Sequence, residues 1–450
     1  MTLYFRAMVP ALGRTFGPLI LFLTAMTGRP QSPALIGYWH NWNDAAAPYI
    51  PLDWIDMRYN VIEVAFAEPV GGSTYVVEFV PEFEVPADFI AQVAAQKALG
   101  KKVVISLGGA NATIQLNSDQ ERDWFIGHVM YLFTAWGFNG LDLDLEGSSV
   151  SITGGTIAAP VDSTVIRLIH AVKEVMAQYR ALTGEKLFLT MAPETAYVQG
   201  GQSAFGGIWG AYLPIIDALR DSLDILQVQL YNSGSMYGID GGIYTQGTAD
   251  FIISQAEAVI QGFATTGGFF DGLPPEKVAI GLPACGSAAG GGYTDTATVR
   301  AAMHYLLGQG PQPGAYTMMQ TGGYPDLRGM MTWSINWDAV GGCDGAYSYA
   351  ENFERIFSGL STGITSSDGM AAVVHPNPFG DAILIEVAEG RDTGTTVLRW
   401  FDATGRLVRT DEVLTSNTMV VATSSLLPGL YLLEISAGAR PLRRIPVVKE

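Results

Sequence analysis

The chain has 450 residues, 48% hydrophobic and 15% charged, with a formal net charge of −18. This composition excludes a disordered chain and supplies enough apolar material for large cores. The acidic balance argues against a nucleic-acid partner, because neutralising phosphates takes a basic surface; it suits a protein acting on a neutral or cationic substrate.

Arg6 and Arg14 precede an apolar run from Phe16 to Met26, and small and polar residues follow. The pattern predicts a secretory signal peptide over 1–31, cleaved near Gln31 or Ser32. A buried first helix is the alternative reading. The run is too short to span a bilayer as a helix, and no later stretch is longer, so no stable membrane span is expected.

From residue 32 to 359 short apolar runs alternate with longer segments whose apolar residues recur three and four apart. The predicted strands are 34–39, 60–67, 102–109, 140–146, 187–194, 223–232, 277–284 and 329–336. The predicted helices include 87–100, 122–137, 162–184, 251–264 and 295–309. Val/Ile/Leu-rich strands separated by helices predict an α/β fold with a parallel sheet covered by helices. Eight such units fit a closed (β/α)8 TIM barrel better than an open sheet. After a Ser/Thr/Gly-rich linker, 360–369, the texture changes. Short alternating runs at 383–387, 396–402, 407–413, 418–423 and 429–436 predict a small all-β, immunoglobulin-like sandwich over 370–450.

The stretch "FNGLDLDLEG" (138–147) carries the chemistry. Side chains two apart on a strand share a face, roughly 6.6 Å apart. Asp142, Asp144 and Glu146 therefore share one face, and Leu141, Leu143 and Leu145 the other. In a barrel the leucines pack outward and the acids point inward, with Glu146 nearest the C-terminal end where such barrels keep their active sites. Three unpaired carboxylates in the interior are expensive, so at least one proton should be retained. A protonated carboxyl beside ionised ones is the equipment of a general acid. Clustered acids could also hold a divalent cation, but no further acid or histidine is placed to complete a shell, so neither metal nor cofactor is expected.

"FNGLDLDLE" resembles the DGxDxDxE signature of glycoside hydrolase family 18, the chitinases and their relatives. "SLGG" (106–109), "MAPE" (191–194), "QLYN" (229–232) and Trp333 in "MMTWSINWD" resemble the family's companion motifs, in order and each at a strand end. "YNVIEVAFAEP" (59–69) is similar to the second strand of bacterial chitinases. The resemblance implies retaining hydrolysis assisted by the substrate. Glu146 would protonate the glycosidic oxygen while the substrate's N-acetyl oxygen attacks C1, forming an oxazolinium ion. Asp144 would orient the acetamido group, Tyr231 would hydrogen-bond the acetyl oxygen, and Asp142 would share the proton balance with Asp144. Trp333 would form an apolar floor under the sugar. Gln229, Asn232, Glu194, Tyr197, Ser106 and Trp39 complete the residues expected at the substrate, with Ser106 supporting the acid pair in the family. Trp42, Trp209 and Trp337 are further candidate platforms.

Asn139 stands where many members carry an aspartate; loss of that charge is expected to relieve repulsion on the buried acids. About 44 residues separate the seventh and eighth strands, too few for the α+β insertion some members carry, so a shallow, open cleft and endo-type cleavage are expected. Cys285 and Cys343 follow the seventh and eighth strands, and a disulfide between them is sterically possible. "VVHPNPFGDAILIEV" (373–387), "FDATGRLV" (401–408) and "LPGLYLLEI" (428–436) resemble the C-terminal sorting domain of the type IX secretion system. The whole then reads as a monomeric endochitinase, exported through the periplasm to the cell surface or medium, with chitin or an N-acetylglucosamine oligosaccharide and the type IX machinery as partners. An endo-β-N-acetylglucosaminidase acting on N-glycans and a non-catalytic chitin-binding lectin of the same fold are the alternatives.

Overall fold

The computed structural model describes residues 33–340, 344–358, 372–375, 378–387, 395–402, 406–414, 418–437 and 440–449. The expected signal peptide, the linker, Cys343 and the "ATG" of the "ATGR" turn lie outside the described residues. Cys285 is buried and disulfide-bonded.

Eight parallel strands form the first sheet: β1 (Ala34–His40), β2 (Val61–Pro69), β3 (Lys102–Gly108), β4 (Gly140–Asp144), β5 (Phe188–Met191), β6 (Ile225–Leu226), β7 (Ala279–Pro283) and β8 (Gly329–Trp333). Hydrogen bonding runs β7–β8–β1–β2–β3–β4–β5–β6. The two ends of this path meet through parallel bridges, Leu226 to Val278 and Gln229 to Gly281, which bring the sheet round into a barrel. All eight strands fall where the alternating apolar runs predict them.

The helices are α1 (Pro86–Ala98), α2 (Asp119–Trp136), α3 (Ser163–Thr183), α4 (Leu213–Leu219), α5 (Ala249–Gln261), α6 (Thr296–Leu306), α7 (Ile335–Ala339) and α8 (Ser348–Phe357). Ser118 caps α2 by accepting from the Glu121 amide, and Gly137 ends it in the left-handed region. Pro283 and Gly329 are joined by a segment whose only regular element is α6, so no α+β insertion is present there.

Each strand has two jobs. Leu141, Leu143 and Leu145 are at most 1% exposed and join the large cluster under the helices; burial of a leucine contributes about 1.5–3 kcal/mol. The interior face divides into layers. Ile36, Val61, Val104, Phe188, Ile225, Ala279 and Met331 pack against one another inside the barrel. The polar side chains described below lie farther along the same strands, toward their C-terminal ends.

The C-terminal strands pair in two antiparallel sheets. Ala372–His375, Ala382–Val387 and Thr418–Ala422 form one; Leu407–Leu414, Thr395–Asp402, Gly429–Ala437 and Arg440–Lys449 form the other. Phe379, Trp400 and Tyr431 are buried in their shared core. These aromatics hold the domain together and offer no flat exposed face for a sugar.

Candidate active site

The cleft at the C-terminal ends of the strands is a cavity of about 350 Å³ lined by Trp42, Phe66, Glu68, Glu82, Ala110, Asn111, Asp144, Glu146, Glu194, Gln229, Tyr231, Asn232, Ala288 and Trp333. Five of these are carboxylic acids and none is basic. Its apolar wall is a stack: Trp333 lies nearly parallel to Phe66, ring centres 5.8 Å apart, and Trp42 meets both at 6.2 and 6.3 Å. His40 packs flat on Trp42 at 4.5 Å. Burial lowers its pKa to about 4, so the imidazole is neutral near pH 7.

The acids line up from inside to mouth. Asp142 is fully buried and accepts from Tyr38 Oη, Ser106 Oγ and Thr190 Oγ1, each at 2.7 Å. Asp144 lies nearer the mouth at 3% exposure. Burial pushes its proton affinity well up, reinforced by the charges of Glu146 and Asp142. Gln229 Nε2 donates to Asp144 Oδ1 and Glu146 Oε1, both at 2.8 Å, and lies 3.0 Å from the Ala192 carbonyl. One amide therefore ties the two upper acids to β5. Glu194, whose backbone bridges to Gln229, also lines the cavity; burial, then the charge of Glu146, raise its pKa.

The backbone is built to deliver these groups. Gly108 and Gly109 have φ of +109° and +83°; a β-carbon on Gly108 would meet the Asp144 carbonyl at 2.3 Å, and one on Gly109 the Phe66 ring at 2.7 Å. The Gly109 amide instead donates to that carbonyl at 2.7 Å. The Leu145 amide donates to Tyr212 Oη, and Tyr197 Oη donates to the Gly147 carbonyl, so two tyrosines hold the chain on either side of Glu146.

Several expected substrate residues have other places. Trp39 is fully buried on the outer side of β1, against Tyr49 and Phe89, with its indole N–H on the Ile50 carbonyl. Alternation explains it: Tyr38 faces inward, so Trp39 cannot. Ser106 touches Asp142 and is too deep for a ligand. Tyr197 is 1% exposed and supports the Glu146 loop from behind. Asn232 lines the cleft, yet its Oδ1 accepts from the Gly291 amide and its φ of 54° marks a turn. Trp209 and Trp337 are not among the lining residues; Trp42 is. Reasoning from motifs missed Tyr38, Glu63, Phe66 and Tyr212. The alternation that set the acids inward would have found Tyr38 and Glu63.

Asn139 does not relieve repulsion on the acids. It lies on the leucine face, just before the N-terminal end of β4, where its Oδ1 accepts from the Val103 amide at 2.8 Å. An aspartate would accept equally well there. Asn139→Asp is expected to leave the pH–activity profile superimposable on the parent's; a displaced optimum would show that the site senses this position.

A family profile described as glycosyl hydrolases family 18 matches residues 34–358, and one described as a secretion system C-terminal sorting domain matches 373–448. Chitinase Chi52 of Paenibacillus xylanexedens is 45% identical over 336 residues, covering 74% of this chain and 62% of that protein. Chitinase D of Niallia circulans is 45% identical over 342 residues, covering 74% of this chain and 63% of its own length. The chain thus spans about three fifths of each of these relatives. Among solved structures, a family GH18 chitinase from Chromobacterium violaceum superposes with a TM-score of 0.63 at 39% identity, covering 72% of this chain and 83% of the other.

Proposed function

The chain belongs to glycosyl hydrolase family 18, and from that premise we propose that residues 32–359 are a chitinase that cuts β-1,4-linked N-acetylglucosamine chains with retention. The observation that carries this reading is the Gln229 amide between Asp144 and Glu146 at the mouth of an aromatic-walled cleft.

In the reaction, the sugar at the cleavage point lies with its C–H face on Trp333. The Asp144–Glu146 pair holds a proton, and Glu146 passes it to the glycosidic oxygen as the C1–O bond breaks. The substrate's own acetyl oxygen closes on C1, giving an oxazolinium ion. Asp144, itself buried, accepts from the acetamido N–H and, ionised, faces the positive charge. Tyr231, whose hydroxyl burial keeps protonated, donates to the acetyl oxygen and orients it. Water then attacks C1 from the side the leaving sugar vacated, Glu146 takes its proton, and the configuration at C1 is retained. With no insertion between β7 and β8 to wall the cleft, cleavage is endo-type.

Product analysis on chitin oligomers beside a high-mannose glycoprotein tests the assignment. Release of short N-acetylglucosamine oligomers in the β-configuration supports it; release of N-glycans alone overturns it in favour of an endo-β-N-acetylglucosaminidase. The C-terminal sandwich directs passage across the outer membrane to the cell surface or medium. Deleting residues 370–450 should leave chitinase activity in the cell fraction, and undiminished activity in the medium would refute the sorting role.

A further inference from the structure

Below the Asp144–Glu146 pair the barrel holds a fourth carboxyl that this reaction does not use. Glu63, on β2, is 0% exposed. The groups facing it are Tyr38 from β1, Asp142 and Asp144 from β4, Thr190 from β5, and Gln227 and Tyr231 from β6 and the segment after it. No lysine or arginine is among them.

The available hydrogens limit the charge that Glu63 and Asp142 carry together. Thr190 Oγ1 stands 2.8 Å from Glu63 Oε1 and 2.7 Å from Asp142 Oδ1. A threonine hydroxyl has one proton and can donate to only one of them. The other contact, oxygen to oxygen at hydrogen-bond length, takes its proton from a carboxyl. One of the two acids is therefore neutral. Asp142 has the donor set of an anion: the Tyr38 and Ser106 hydroxyls on Oδ2, Thr190 on Oδ1, and the Leu143 amide. Glu63 has the Gln227 amide, at 2.6 and 2.7 Å from its two oxygens, besides Thr190 and the Tyr38 hydroxyl, whose single proton goes to Asp142 Oδ2 at 2.7 Å. Burial, then the neighbouring Asp142 charge, push its proton affinity well up.

Building on the chitinase reading above, we propose that Glu63 is a positioning residue. As the neutral acid it donates to Thr190 Oγ1, and this obliges Thr190 to donate to Asp142 and fixes Asp142 as the buried anion. A fixed charge on Asp142 keeps the working proton above it, on Asp144 and Glu146, where the leaving oxygen can take it. No proton is consumed in this chain; it sets the direction of two hydrogen bonds.

Two measurements on the full chain test this. In infrared difference spectra at neutral pH, parent minus Glu63→Gln, a deuterium-sensitive C=O stretch of a protonated carboxylic acid should appear; its absence overturns the proposal. This readout needs no turnover, so a parent that cleaves no chitin would sink the functional reading and leave the proton assignment to be judged separately. In the pH profile of kcat/KM, Glu63→Gln preserves a neutral donor to Thr190. It should stay within about 3-fold of the parent with an unmoved acid limb. Were Glu63 ionised, removing its charge beside Asp142 would move that limb down by about one pH unit or more, which overturns the proposal. Thr190→Val serves if Glu63→Gln does not fold. It removes a donor from the Asp142 anion and should move the acid limb to higher pH; an unmoved limb overturns the proposal.

Discussion

Glu146→Gln is expected to lower turnover on chitin oligosaccharides by about 10²–10⁴-fold, the range lost with a positioned general acid. The size of the loss should depend on the leaving group. An aryl glycoside departs as a stable phenolate and needs little protonation, so on such a substrate formation of the oxazolinium should be nearly restored in a pre-steady-state burst. The amide keeps the shape of the acid and its place beside Gln229, so substrate affinity should change little. A variant that cleaves oligosaccharides as fast as the parent would remove Glu146 from the mechanism.

Asp144→Asn is expected to cost about 10²–10³-fold in turnover, the scale of one electrostatic stabiliser lost from a transition state. Here an activated leaving group should bring no rescue, because in the proposed reaction Asp144 acts on the acetamido group and the charge that forms there. The contrast between the two variants on one aryl glycoside assigns the two roles. The variant also removes one of the charges that raise the pKa of neighbouring groups. Burial, Glu146 and Asp142 hold the Asp144 proton affinity high in the parent. With a neutral amide there, no titrating group remains at this position and the pair can no longer share a proton. The pH profile of the residual activity should simplify to fewer ionisations; an unchanged profile with full activity would refute the role.

Much of this is legible in the sequence. Strand positions follow from short Val/Ile/Leu runs because a barrel strand is enclosed on both faces, and the inward set of acids follows from the two-residue period. What was not legible depends on closure. Glu63 is one acid in an apolar run, and its partners Thr190 and Gln227 are more than 120 residues away; only the completed barrel makes them neighbours. The place of Trp39 is not legible, because Tyr38 and Trp39 are both aromatic and composition alone does not choose the inward one. The Gln229 amide was expected at the sugar, but its donors are spent on the two acids. Helix α4 escaped notice because seven residues are too few to display a helical period.

The lining of the cleft has a consequence for the polymer's own chemistry. Where a chitin chain has lost acetyl groups, each bare glucosamine carries an ammonium group. Glu68, Glu82 and Glu194 stand around the reacting pair with no basic lining residue to offset them. Cationic stretches should be drawn to this rim through a field that salt screens, whereas the proposed reaction requires an acetyl group on the sugar above Trp333. On the proposed chitinase reading, such a cleft would attract the chain by sugars it does not cut and cut at those that retain their acetyl. Ionic strength would then tune its preference between fully and partly acetylated material.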